Sequence, residues 1–242
     1  MFTLLKKEFN NFFASPMGYI VVGVFLVVTA LFLWVFPGEY NILDSGYANL
    51  DGLFYFAPWL YLFLVPAVTM RLFAEEKKTG TIELLMTRPI SSWSIVLSKY
   101  FAGVLLVLCS LVPTLIYFFS VWCLGDPMGN IDTGGTWGSY IGLFFLAIIY
   151  VAIGIFASSL TDNQIISFII AALLCFFFYA GFDIISGMAN SGNTETFISS
   201  LGINAHYESM SRGVIDSRDI VYYLVVVAIF IFLTQTVVDK KK

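Results

Sequence analysis

The stretch Glu75-Glu76-Lys77-Lys78-Thr79-Gly80-Thr81-Ile82-Glu83-Leu84-Leu85-Met86-Thr87-Arg88-Pro89-Ile90 interrupts an otherwise strongly apolar chain. Seven charged side chains fall between Arg71 and Arg88. At roughly 2.5 to 3.5 kcal/mol each for a mid-bilayer site, they oppose insertion by on the order of 20 kcal/mol. This segment therefore lies in water, between two membrane spans.

On either side the composition is that of a membrane protein. Of the 242 residues, 59% are hydrophobic, 18% aromatic and 12% charged, a balance foreign to water-soluble domains. Six apolar runs are long enough to cross a hydrocarbon core as helices: 17–36, 53–70, 100–124, 139–160, 165–182 and 220–238. The chain reads as an all-α integral membrane protein and a single domain over 1–242. Residues 71–99 form a cytoplasmic loop and 183–219 an external segment. The first run lacks an A-x-A site and is read as a retained anchor rather than a cleaved signal.

Lys and Arg near span ends are retained on the cytoplasmic side. With both termini inside, that side carries Lys6, Lys7, Arg71, Lys77, Lys78, Arg88, Lys99, Lys240, Lys241 and Lys242, and the outside only Arg212 and Arg218. Ten acidic residues fall outside, so the outer face nets −8 and the inner +4. The overall acidity thus says nothing about partners, and nucleic acid is not among those expected.

Residues 1–15 form an amphipathic helix for the membrane interface, with Phe2, Leu5, Phe9, Phe12 and Phe13 on an arc of about 100° and Lys7, Glu8, Asn10 and Asn11 elsewhere. Ser15 offers an N-cap and Pro16 the first helical position of the next helix. Pro58, Pro66 and Pro113 predict local bends. Ala147, Val151, Gly154 and Ser158 form a small-residue stripe that admits another helix closely, from the same subunit or a second one. Only Thr161-Asp162-Asn163-Gln164 separates the fourth and fifth spans, which forces a tight antiparallel turn. The external segment carries Ile184, Ile185, Met188, Phe197, Ile198, Leu201, Ile203 and Met210, so parts of it are expected to dip into the membrane before the last span. Gly213 marks a helix stop, and Asp216 followed by Asp219 a restart.

The six runs contain no Asp, Glu, Lys, Arg or His, which argues against an ion-coupled transporter, whose ion path keeps such groups in the membrane. No GxxxxGK[ST] is present, so the chain binds no ATP through a P-loop. The single histidine, His206, has no nucleophile that would make an enzyme of it, and it reads as a loop residue at the interface. Cys109, Cys123 and Cys175 lie within spans and read as small hydrophobes rather than as a disulfide or metal site. No catalytic, metal or cofactor-binding residue is expected.

Within the polar stretch, Gly80 breaks one helix and caps a short one from Thr81 to Met86, with Glu83 near its positive end and Ile82, Leu85 and Met86 on one face. Thr87-Arg88-Pro89 stops it, and Ser91 restarts a helix that enters the third span. Such an element fits a cleft on a soluble partner, or lies on lipid headgroups.

The pattern Glu75-Glu76-x-x-Thr79-Gly80-Thr81-Ile82-Glu83-x-Leu85-x-x-x-Pro89-Ile90, with Lys99 at the start of the next span, resembles the cytoplasmic loop of ABC-2 type transporter permeases (type V exporter-like). The likeness extends to the interfacial helix, the six spans, the tight turn and the long outer connection. The stretch from His206 to Asp216, with Tyr222-Tyr223, is similar to the gliding-motility-associated permease subunits. The resemblance implies a permease of the bacterial inner membrane that works as a dimer, identical or mixed, with a separate ABC ATPase that holds the ATP and Mg. An auxiliary membrane-anchored protein with a large external domain is implied as a further partner. The ATPase-coupling role falls to Glu75, Glu76, Gly80, Thr81, Ile82, Glu83, Leu85, Met86 and Pro89, and a second cytoplasmic contact to Thr161, Asp162, Asn163 and Gln164. A scaffold that anchors an envelope or motility machine without transport is the alternative, separable by substrate-dependent stimulation of ATP hydrolysis.

Overall fold

The computed structural model describes residues 1–87, 90–188 and 192–240, without the side chains of Leu84, Leu85 and Met86. Among the described residues there are helices and no strands. Thirteen α-helices follow in order: α1 Phe2–Ala14, α2 Pro16–Ala30, α3 Asp51–Thr69, α4 Arg71–Lys78, α5 Thr81–Met86, α6 Ser92–Leu111, α7 Leu115–Leu124, α8 Thr133–Leu160, α9 Gln164–Phe176, α10 Phe182–Ser186, α11 Gly192–Ser199, α12 Ile203–Ser211 and α13 Ser217–Asp239. Six stretches among the described residues are long and apolar enough to span a membrane: Pro16–Val35, Asp51–Lys78, Ser92–Leu124, Thr133–Leu160, Gln164–Ser186 and Ser217–Asp239. The third and fourth begin earlier than the apolar runs because the helices continue through Lys99 and through the small residues Gly134 to Gly138, where hydropathy falls but backbone bonding does not.

Helix α8 is the axis of the bundle. It packs against α3, α6, α9, α12 and α13, and its side chains from Leu143 to Ser159 are almost all buried. In lipid, helices gain little from apolar contact alone and associate where small residues let backbones approach. The stripe on α8 does this inside the subunit. A Cβ on Gly154 would stand 2.0 Å from Thr69 Oγ1, Val151 fills the space at Gly103, and Ser158 bonds to the α3–α4 junction. Gly138 serves α12 in the same way, since a Cβ there would meet the Met210 carbonyl at 2.6 Å.

The prolines act as the sequence suggests in one place and not in another. At Pro113 the helix tightens into a 3₁₀ turn over Val112–Thr114, whereas α3 runs through both Pro58 and Pro66 and breaks only after Thr69. The segment after the fifth span folds back on the bundle, with Ile203, Tyr207 and Met210 of α12 buried and Phe197 and Met188 exposed. Gly213, at φ +81°, ends α12, and the Asp216 carboxylate caps α13 by accepting from the Arg218 amide at 3.0 Å. Cys175 is buried as expected, but Cys123 on α7 is exposed.

Candidate functional site

The charged loop is built on an extension of the second span. Ser158 Oγ accepts from the amides of Phe73 and Ala74 at 3.0 and 3.1 Å and donates to the Met70 carbonyl at 2.9 Å, so α4 is fastened to the end of α8 where α3 breaks. Lys77 Nζ adds a bond to the Ser159 carbonyl. Beyond it, Gly80 adopts φ +71° and ψ 2°, a left-handed conformation that a side chain disfavours. The turn is locked by hydroxyls: Thr79 Oγ1 donates to the Glu75 carbonyl at 2.9 Å and sits 3.0 Å from Thr81 Oγ1, which in turn donates to the Glu76 carbonyl at 3.3 Å. Helix α5 then runs from Thr81 to Met86 with Glu83 in its first turn, over the residues the sequence marks.

Its side chains divide. Thr81 and Glu83 are exposed, but Ile82 is buried within the chain's own core and so is turned away from any soluble partner. The side chains of Leu85 and Met86, and Arg88 and Pro89 entire, lie outside the described residues. Glu75 is exposed, and it lines with Glu76, Thr79 and Thr81 a groove of about 770 Å³ closed on its other side by Lys7 and Asn11 of α1.

Glu76 also reaches inward, into a cluster that sequence reasoning missed. Lys99, on the first turns of α6, is wholly buried, and its Nζ lies 2.9 Å from Glu76 Oε1 and 3.2 Å from Glu8 Oε2. Lys7, half exposed, stands 3.7 Å from the Glu8 carboxylate and 4.0 Å from that of Glu76. Two cations and two anions thus form a neutral quartet at the meeting of α1, α4 and α6, and the Phe73 ring, 5.2 Å from Lys99 Nζ, closes its inner side. Glu8, placed on the polar face of α1 by the helical wheel, is in fact among that helix's most buried residues, because its partner lies on another helix. The one available signal was the lone Lys99 beside an apolar run.

The turn at the end of α8 is held by Asn163, whose side-chain oxygen accepts from the amides of Ile165 and Ile166 at 2.9 and 3.4 Å. Thr161 Oγ1 accepts from the Asn163 amide, and Gln164 opens α9. The turn directly follows Ser158 and Ser159, to which α4 is tied, so both sequence-marked contacts lie at one end of the bundle. His206 is far from them and sits within α12 rather than in a loop. Its Nδ1 is 2.7 Å from Asp219 Oδ1 and its Nε2 2.9 Å from the Ser200 carbonyl. Asp219 stands in the first turn of α13, where the sequence places it, and serves this bridge as well.

Residues 2–239 match the family model described as ABC-2 family transporter protein. No curated protein matches the chain.

Proposed function

The chain belongs to the ABC-2 family of transporter proteins and is the permease subunit of an ABC transporter, and on that premise we propose that α5 and the groove beside it receive the ATPase and pass its movement to the spans. What supports the reading is the way α5 is mounted: a left-handed glycine and three threonine hydroxyl bonds join it stiffly to α4, which is fastened to α8 through Ser158 and to α6 and α1 through Glu76 and Lys99. A push on α5 is therefore delivered to the third and fourth spans and to the interfacial helix at once. The chain is a transport component and carries no catalytic role of its own; ATP and Mg belong to the partner.

In this reading the end that holds α1, α5 and the 161–164 turn faces the cytoplasm of a bacterial cell, two permease subunits pair, and transport runs outward. The likeness of the His206–Asp216 stretch to gliding-motility permeases favours that setting and an auxiliary external partner. The test is co-purification and ATP hydrolysis of the complex in nanodiscs. Glu83→Lys should release the ATPase or leave its activity unresponsive to the permease while the chain still inserts. Unchanged co-purification and unchanged activity would overturn the docking role of α5.

A further inference from the structure

At the end of the bundle opposite α5 a cavity of about 490 Å³ opens between α3, α8, α12 and the Tyr179–Ile184 stretch of the fifth span, within the range of sites that hold small molecules. Its walls are aromatic: Phe54, Tyr55, Trp59, Tyr179 and Tyr207. The rings are set firmly. Trp59 meets Tyr179 edge to face with centroids 5.4 Å apart, and the Tyr207 hydroxyl donates to the Phe54 carbonyl at 2.8 Å.

Three carboxylates, Asp51, Asp183 and Glu208, border the same space, and among the described residues no Lys or Arg lines it. Among the described residues none of the three pairs with a basic group. Asp183 and Glu208 converge on a single neutral donor, the Asn204 amide nitrogen, at 2.9 and 3.1 Å. Their oxygens are thus within about 6 Å of each other with no cation between, an arrangement that favours binding of a positive group. Aromatic faces add attraction for a cation whose charge is spread and weakly hydrated. Among the described residues no group of three or more carboxylate, histidine or cysteine side chains is placed to hold a metal ion, and a neutral sugar would leave the carboxylates unbalanced.

We propose that this cavity binds an organic ammonium group. The site is separate from the α5 region and does not rest on the coupling role given to it. The ammonium comes either from a soluble amine or from an aminated lipid headgroup.

The test is calorimetric titration of the full chain, without ATPase, in phosphatidylglycerol nanodiscs, which leave both faces open. The probes are tetramethylammonium, spermidine, calcium and glucose. The expected result is saturable binding of at least one ammonium probe, weakened at least about tenfold by Glu208→Gln and by Trp59→Leu. Both side chains are exposed enough to change without disturbing the bundle, unlike Asp183, which also holds Ser199 and Asn204. Thermal unfolding of each variant checks this. Competition by added phosphatidylethanolamine assigns the ammonium to a lipid headgroup, and its absence assigns it to a soluble amine; both uphold the site. Binding of calcium or glucose with none of either ammonium probe, no binding at all, or ammonium binding indifferent to both substitutions would overturn it.

Discussion

Replacing Lys99 by Met keeps an unbranched side chain only one atom shorter and removes its charge. The Glu8 carboxylate, 4% exposed, then loses its 3.2 Å partner, and Glu76 loses a contact at 2.9 Å. Lys7 compensates only in part, because its ammonium stands at 3.7 and 4.0 Å on a side chain already half in solvent. Removing one partner of a buried ion pair costs about 3–5 kcal/mol, since the remaining charge stays desolvated. The triple change Lys99→Met, Glu8→Gln and Glu76→Gln removes every stranded charge, and most of the stability should return. Coupling should not return, because the link from α4 to α6 and α1 is gone. Equilibrium unfolding in mixed micelles reads the first effect, and permease-dependent ATP hydrolysis in nanodiscs the second. A loss below about 1 kcal/mol for Lys99→Met would refute the quartet as a buried electrostatic unit. Full coupling in the triple variant would refute it as a mechanical link.

Gly154→Ala drives a methyl into Thr69 Oγ1 at 2.0 Å, and overpacking of this kind should cost about 1–3 kcal/mol in the same unfolding assay; the double change with Thr69→Ala, which removes that oxygen, should recover part of it, and no recovery would refute the clash as the cause. Gly80→Ala finds open space around its Cβ but a φ of +71°; the strain of about 1–2 kcal/mol should loosen the α4–α5 turn, lowering ATPase stimulation while global unfolding stays near wild type. The Asp216 carboxyl is held below the usual carboxylate range, first by the hydrogen bond from the Arg218 amide. Its support for the start of α13 is therefore full above the ordinary carboxylate pKa and fades as pH falls through the lowered one, so the protection of the amides of residues 217–220, measured relative to the intrinsic exchange rate at each pH, should fall under acid, and Asp216→Ala should remove that dependence.

How much of this was legible depended on the range of the interaction. The six spans, the Gly80 break, the short helix after it and the tight 161–164 turn all follow from hydropathy and from residues acting on their immediate neighbours. The groove beside α5 and the quartet do not, because Glu8, Glu76 and Lys99 come from three separate helices and each looks like an ordinary surface charge in its own segment. A helical wheel assigns Glu8 to water since it knows only α1. For the same reason Ile82 reads as part of a docking face, although the structure turns it inward. The small-residue stripe on α8 announced a close approach, but its partner, Thr69, became visible only once α3 was in place. Asp219 is the helix-start residue that its spacing suggests, but its bridge to a histidine on α12 was not visible from that spacing.

The quartet also bears on how the chain is made. Synthesis delivers Glu8 first, Glu76 after the second span and Lys99 only as the third begins. Until then the α1 carboxylate has no buried seat, and α1 remains at the water boundary with its charge solvated. The arrival of a single lysine allows α1 to dock, so a helix made ahead of the first span reaches its place only once the third has begun, and a subunit cut short before that point is distinguished from a longer one by an acid on α1 still exposed to water.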